Sequence, residues 1–143
     1  TPLQLVAAYT ALADHGVLHE PYLIAGQRRP GKRVLRRSVA DTVARMLEGV
    51  VGPNGTGAEA QIPGYRIAGK TGTSQKPDPL TGTYSKTRYV ASFVGFAPVG
   101  DPRLLVLVAV DEPQGEIYGG VVAAPAFEQI VSFALSYLGV PPS

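Results

Sequence analysis

The chain has 143 residues, the length of one domain or a large part of one, and its 45% hydrophobic content excludes a disordered chain. A net charge of only +2 gives no footprint for nucleic acid, and the absence of cysteine excludes disulfides, thiolate metal sites and cysteine nucleophiles. His15 and His19 are too few for a metal centre and fit helix-end and surface positions, so we expect no metal and no other cofactor. The longest apolar run, residues 104–110, is far shorter than a membrane span, so any anchor is expected outside this sequence.

Two helices are predicted in the first third of the chain. Thr1 and Gln4 form a capping-box pattern around Pro2, followed by apolar residues at helical spacing and a stop at Gly16. A second helix should begin at Ser38 and end near Gly52. Its predicted buried stripe is Val39, Val43, Met46, Leu47 and Val50.

The segment between these helices, residues 28–37, carries six cations. They could face anionic lipid headgroups or wall polymer. A solvated hairpin fits better, because Pro30 and Gly31 lie at its centre and no aromatic residues interleave with the charges.

Strand patterns cluster in the second half, at residues 65–74, 89–97 and 103–111. The tight connection 98–102 predicts an antiparallel hairpin, and the unbroken apolar run 104–110 predicts a strand covered on both faces. Residues 75–88 form a long polar connection that could be a lid over a cleft or merely a mobile loop. Apolar positions then recur at helical spacing through Phe127, Ile130, Val131, Ala134, Leu135 and Leu138. The expected fold class is α+β, an antiparallel sheet flanked by helices.

The most specific motif is Lys70-Thr71-Gly72-Thr73, at the end of a predicted strand. Counted from Gly64, the sequence literally matches a phosphate-binding loop. The context excludes that reading, because residues 65–68 are strand-forming and the Pro-containing segment 76–79 cannot begin a helix.

Lys-Thr-Gly is also the third motif of the active-site serine acyl transferases. A strand at the rim of a cleft offers unpaired backbone groups to which a peptide can add. Lys70 would attract the substrate carboxylate, Thr71 and Thr73 would donate hydroxyls to it, and Gly72 would allow close approach. Because strand alternation puts Lys70 and Thr71 on opposite faces, both reach one ligand only if the strand lies at a sheet edge.

Four stretches together resemble the class B penicillin-binding proteins, especially the septal type used in cell division: residues 1–5, 62–74, 89–98 and 119–127. The resemblance implies the C-terminal part of a serine-transpeptidase-like fold and a D-Ala-D-Ala transpeptidase acting on peptidoglycan stem peptides, inhibited by β-lactams. It implies that Lys70 and Thr73 are catalytic, with the Thr73 amide in the oxyanion hole and Lys70 bridging to the serine of a Ser-x-Asn motif. Thr71, Gly72, Thr73 and Tyr118 would bind substrate, Tyr118 as an aromatic wall.

The family's nucleophile motif Ser-x-x-Lys and its Ser-x-Asn motif are both missing. No serine here is followed three residues later by lysine, and Asn54, the only asparagine, is not in a Ser-x-Asn. Residues 1–143 are therefore expected to be the C-terminal portion of a transpeptidase domain, inactive alone, whose N-terminal half lies on a second chain or outside this sequence.

The resemblance further implies cell-division proteins as partners, no nucleic acid, and the extracytoplasmic face of the bacterial membrane, with an N-terminal anchor outside this chain. The rival interpretation is a non-catalytic β-lactam sensor or a degenerate peptide-binding module on the same fold. Intact Lys70, Thr71, Gly72 and Thr73 favour the enzyme only slightly, because a sensor would keep them too.

Overall fold

The structure, a computed structural model, describes residues 1–142 and confirms the α+β class. A single turn of 3₁₀ helix at Ala58–Ala60 adds to the regular elements. In chain order these are α1 (Pro2–Ala13), β1 (Val17–Leu18), β2 (Lys32–Arg33), α2 (Arg37–Val51), β3 (Ala68–Asp78), β4 (Thr83–Ala97), β5 (Leu104–Asp111), α3 (Gly119–Val122) and α4 (Ala124–Tyr137).

The main sheet is antiparallel, with strand order β3-β4-β5. The predicted hairpin is confirmed, since β4 pairs with β5 from Val90 opposite Asp111 to Ala97 opposite Leu104. Strand β4 lies between the other two, so β3 and β5 each have one edge that no described strand covers. The strand carrying the Lys-Thr-Gly-Thr motif is thus an edge strand, as its predicted chemistry requires.

Helices cover the sheet on both faces. Phe93 of β4 packs edge-on against Phe127 of α4, with ring centroids 4.8 Å apart, and Val131 and Leu135 join this core. Phe96, on the opposite face of β4, packs with Ala44 of α2. The predicted two-sided cover of the run 104–110 is confirmed only in part. Leu104, Val106 and Val108 pack against the first cluster, but on the other face only Leu105 joins the second cluster, and Ala109 is exposed.

The capping box of α1 is confirmed: the Thr1 hydroxyl accepts from the Gln4 amide at 3.3 Å, and the Gln4 side chain accepts from the N-terminal ammonium at 2.8 Å. The predicted stripe of α2 is wrong except at Leu47, which is partly buried against the cluster of Ala44 and Phe96. Ala40, Ala44 and Val51 are buried instead, whereas Met46 is 68% exposed. The buried face is shifted by one residue, about 100° of helix rotation. Alanine lets the helix approach the sheet closely, and a scale that rewards large side chains misses this.

Helix α4 follows its predicted stripe only in part. Phe127, Val131 and Leu135 are buried, but Ile130 and Leu138 are about half exposed. By length and composition alone, Gly119–Tyr137 could cross a membrane, although no unbroken apolar run marks it in the sequence. Because its central side chains fill the core between α4 and the sheet, this stretch is the core helix of a folded domain.

Residues 20–34 are all exposed, and their base is the short antiparallel pair of Leu18 with Lys32 and Val17 with Arg33. The predicted solvent exposure of the cations up to Arg33 is confirmed, but the predicted hairpin centre is wrong. The connection between the paired strands spans residues 19–31, so Pro30 and Gly31 lie next to β2, and Arg37 is the first residue of α2. The predicted bounds of the connection, residues 75–88, are wrong, because β3 continues to Asp78 and β4 begins at Thr83. The connection is a β-hairpin that extends beyond the sheet, with its turn at residues 79–82.

An ion pair joins α2 to the end of α1. The Asp41 carboxylate lies 2.6 Å from Nδ1 of His15 and 3.6 Å from Nε of Arg37. The hydrogen bond to His15 is the main cause that lowers the pKa of Asp41 below its ordinary value of 3.8. Because the pKa of Asp41 is lower in the folded state than in the unfolded state, the ion pair stabilises the fold at pH values above the unfolded-state pKa. This contribution is lost as the pH falls through the folded-state pKa.

Asp41→Asn is therefore expected to lower the urea midpoint of unfolding at pH 7, and its deficit should close as the pH falls below the ordinary value of 3.8. Denaturation series at several pH values would measure this. Asp101→Asn is the matched control, since no described residue forms an ion pair with Asp101. A deficit that stays constant down to the acid limit would contradict the linkage.

Candidate active site

The Lys-Thr-Gly-Thr motif occupies the free edge of β3. Lys70 lies opposite Val94 and Thr71 opposite Phe93, so the two side chains leave on opposite faces, as predicted. Thr71 and Thr73 lie on the other face, where Thr56 contacts Thr71 and Gly119 of α3 contacts Thr73. Because no described strand covers this edge, one ligand bound along it can reach side chains on both faces of β3.

The Lys70 side chain folds over this edge. Its ammonium donates to the Thr71 carbonyl oxygen at 3.0 Å and lies 3.4 Å from the Thr71 hydroxyl. No carboxylate among residues 1–142 forms an ion pair with it, and the side chain is exposed. The charge is therefore available to an anionic ligand at the strand edge.

Thr56 is a site residue that sequence reasoning missed. Its hydroxyl lies 3.1 Å from the Thr71 hydroxyl. The flanking glycines hold it there: Gly57 donates its amide to the Val50 carbonyl at 2.9 Å, and a Cβ on Gly55 would lie 2.1 Å from the same oxygen. A threonine between two glycines just after a helix was the available signal.

Helix α3 closes the other end of the motif. The Gly119 amide donates to the Thr73 hydroxyl at 3.3 Å. That hydroxyl has its acceptor side engaged, so its own proton is available to a ligand. A Cβ on Gly119 would lie 2.1 Å from the Ser92 carbonyl oxygen, which explains why the helix begins with glycine. Tyr118, one residue earlier, is 61% exposed beside this contact.

Gly72 lies between the two threonines and directly opposite Ser92. A Cβ at Gly72 would be 2.5 Å from the Ser92 hydroxyl, a group that can rotate away. Neither Ser92 nor Ser74 hydrogen-bonds to a lysine or histidine among the described residues, so neither has the base that activates a serine nucleophile. The assembled groups are an ammonium that no carboxylate of residues 1–142 pairs with, that of Lys70, and the hydroxyls of Thr56, Thr71 and Thr73. This set along an open strand edge is suited to binding a carboxylate.

The chain belongs to the penicillin-binding transpeptidase family: residues 1–132 match the penicillin binding protein transpeptidase domain. Within it, the relatives are of class B. The chain is 41% identical to the probable peptidoglycan D,D-transpeptidase PenA of Neisseria gonorrhoeae and 40% identical to the peptidoglycan D,D-transpeptidase FtsI of Escherichia coli. Each alignment covers 99% of this chain but 24% of the relative, so the chain spans about a quarter of their length.

Solved structures agree. The transpeptidase domain of penicillin-binding protein 3 from Burkholderia pseudomallei superposes with a TM-score of 0.83 at 43% identity, over 98% of this chain and 43% of that one. Penicillin-binding protein 3 from Mycobacterium tuberculosis, complexed with aztreonam, gives 0.90 at 32% identity, over 100% of this chain and 36% of that one. The resemblance and the fold expected from it are therefore confirmed, whereas the roles of Lys70, Thr71, Gly72, Thr73 and Tyr118 stay predictions.

Proposed function

We propose that residues 1–143 form the C-terminal portion of a class B D,D-transpeptidase domain, in which this chain supplies the substrate-binding strand and one oxyanion-hole amide. The substrate is a peptidoglycan stem peptide ending in D-Ala-D-Ala, and β-lactams occupy the same site. The observation that carries the proposal is the unpaired Lys70 ammonium beside the Thr71 hydroxyl on an open strand edge. Ser143 belongs to this portion but lies outside the described residues.

Substrate binding begins with the terminal carboxylate. Lys70 provides the charge, and the hydroxyls of Thr71 and Thr73 provide donors, with Thr56 fixing the orientation of Thr71. The Gly119 amide fixes Thr73 in the same way. A group oriented before the ligand arrives loses less entropy on binding, which favours a single register of the peptide along β3.

The reaction then needs a serine from the N-terminal half of the domain. Its Oγ attacks the carbonyl carbon of the penultimate D-alanine, and the oxyanion that forms accepts from the Thr73 backbone N–H. The C–N bond to the terminal D-alanine breaks, and that residue leaves as a protonated amine. The amine of a second stem peptide next attacks the ester, forms the cross-link and returns the proton to the serine. In this scheme Lys70 also bridges to the serine of the Ser-x-Asn motif, and its positive charge favours the proton transfers at neighbouring hydroxyls.

The proposed setting is the extracytoplasmic face of the bacterial membrane, with an N-terminal anchor outside this chain, and cell-division proteins as partners. The relative named peptidoglycan D,D-transpeptidase FtsI supports a role in wall synthesis. A non-catalytic β-lactam sensor on the same fold is the alternative. Transfer of the acyl group to a peptide amine, measured by turnover, separates an enzyme from a sensor.

The test concerns where the covalent adduct forms. This chain alone is expected to gain no mass from penicillin, because it lacks a Ser-x-x-Lys serine. Mixed with the upstream half of the domain, it should restore acylation, with the adduct on the upstream half. Intact-mass spectrometry followed by peptide mapping reads this out, and hydrolysed penicillin is the control. A stoichiometric adduct on any serine or threonine of this chain would overturn the proposal.

A further inference from the structure

Two segments flank the far end of the motif strand, and one lysine joins them. The first is the hairpin of residues 75–88, and the second is the loop 112–118, which leads from β5 to Tyr118. The Lys76 ammonium lies 2.8 Å from Oδ1 of Asp111 and 2.7 Å from Oε1 of Glu112. The Lys76 side chain is only 26% exposed, although it carries a charge.

The local backbone explains how one ammonium reaches two carboxylates. The β3–β4 register shifts between Gln75 and Pro77, so Lys76 has no partner across the ladder and its side chain is released from strand alternation. Consecutive carboxylates in an extended strand point to opposite faces. Glu112 instead has a φ of 49°, a conformation rare for a residue with a side chain, and this turn brings both acids to Lys76.

We infer that Lys76 is a positioning residue, whose ammonium fixes the hairpin and the loop 112–118 relative to Lys70 and Thr73. The inference rests on the proposed function. Lys76 is three residues beyond Thr73, and the loop that it binds ends at Gly119, whose amide holds the Thr73 hydroxyl. The hairpin that carries Lys76 and the loop that Lys76 binds therefore both adjoin Thr73 of the carboxylate site.

The contact of the Lys76 ammonium with Asp111 and Glu112 is called the clamp below. Its position along β3 indicates which ligands depend on it. A ligand that occupies only the carboxylate site contacts residues 70–73. A peptide or acyl chain that continues along the β3 edge past Thr73 runs towards residues 74–78 and meets the hairpin. The clamp should therefore determine how well long ligands bind, and it should matter little for short ones.

Two other cations of the same hairpin, Arg88 and Lys86, serve for comparison with Lys76. Arg88 lies 3.8 Å from Asp78 within the same hairpin, so this pair connects nothing to the loop 112–118. Lys86 is exposed and forms no ion pair with any described residue. Exposed pairs of the Arg88 kind contribute little to stability, so a large effect at Lys76 would come from its connecting role.

The experiment uses the complete transpeptidase domain that contains this chain, with variants Lys76→Met and Lys86→Met. The second-order acylation constant is measured with 6-aminopenicillanic acid, which has no acyl side chain, and with a penicillin carrying a stem-peptide side chain. Lys76→Met should lose about tenfold with the long ligand, the effect of one mispositioned contact, and less than about twofold with the short one. Lys86→Met should match the wild type with both.

Charge exchange and hydrogen exchange complete the test. Lys76→Glu combined with Glu112→Lys should recover most of the long-ligand rate that Lys76→Glu loses. Lys76→Met should speed amide exchange in both 75–88 and 112–118, a readout that does not need activity. Equal losses with both ligands together with a lower melting temperature would reduce Lys76 to a structural role, and unchanged rates would overturn the inference. If the wild-type domain is acylated by neither ligand, the proposed function fails instead, and the exchange data still decide whether the clamp exists.

Discussion

Lys70→Ala in the complete domain is expected to slow acylation by a β-lactam about a hundredfold or more, the range seen when an electrostatic or proton-relay group is removed. Its melting temperature should hardly change, because the side chain is exposed and, within residues 1–142, its hydrogen bonds go only to its neighbour Thr71. Stopped-flow measurement of the acylation rate, with thermal unfolding in parallel, would separate the two effects.

Thr73→Ala serves as the graded comparison. It should cost less than Lys70→Ala, because the proposed oxyanion donor is the backbone N–H, and only the hydroxyl that accepts from Gly119 is lost. Lys86→Ala, an exposed cation on the neighbouring hairpin, should leave the rate unchanged. A rate for Lys70→Ala within a few-fold of the wild type would remove Lys70 from the catalytic machinery.

Local rules carried much of the fold. The capping box at Thr1 and the hairpin of β4 with β5 depend on residues close together in sequence, so the pattern alone predicts them. The phase of α2 depends on what the helix packs against. Ala44 is buried because Ala68 and Phe96 of the sheet lie close to it, and nothing in the helix's own sequence records that distance.

In the site, too, residues that are contiguous in sequence could be predicted, and a residue distant from them in sequence could not. The motif Lys70–Thr73 was recognised directly, because its residues are contiguous and its chemistry is specific. Thr56 was not, because it reaches Thr71 only after the turn following α2 has folded back over the sheet. The extension of β3 through a register shift to Asp78 was also missed, since a polar strand with a proline reads as a loop.

Gly120→Ala is expected to disrupt the site by displacing the segments that orient the hydroxyls of Thr71 and Thr73. A Cβ at this position would lie 1.9 Å from the Thr56 carbonyl oxygen and 3.4 Å from Cγ2 of Thr71. The nearer contact is with backbone, so it cannot be relieved by a side-chain rotation, and either α3 or the segment 55–57 must move. The cost of overpacking, about 1–3 kcal/mol, should exceed the gain of up to about 1 kcal/mol that alanine brings to a helix.

The displacement should also lower the acylation rate. Thr56 orients Thr71, and Gly119 holds Thr73. A shift of the segment 55–57 therefore loosens the Thr71 hydroxyl, and a shift of α3 loosens the Thr73 hydroxyl. We expect the melting temperature and the acylation rate of Gly120→Ala to fall together, by about tenfold or more in rate if the hydroxyls move by an ångström. Gly49→Ala is the matched control: a Cβ there meets nothing within 4 Å, and alanine inside α2 should raise stability by about 0.5–1 kcal/mol with acylation unchanged. If Gly120→Ala instead raised stability as Gly49→Ala is expected to do, the close approach of α3 to Thr56 would be wrong, and with it the account of how Thr71 is oriented.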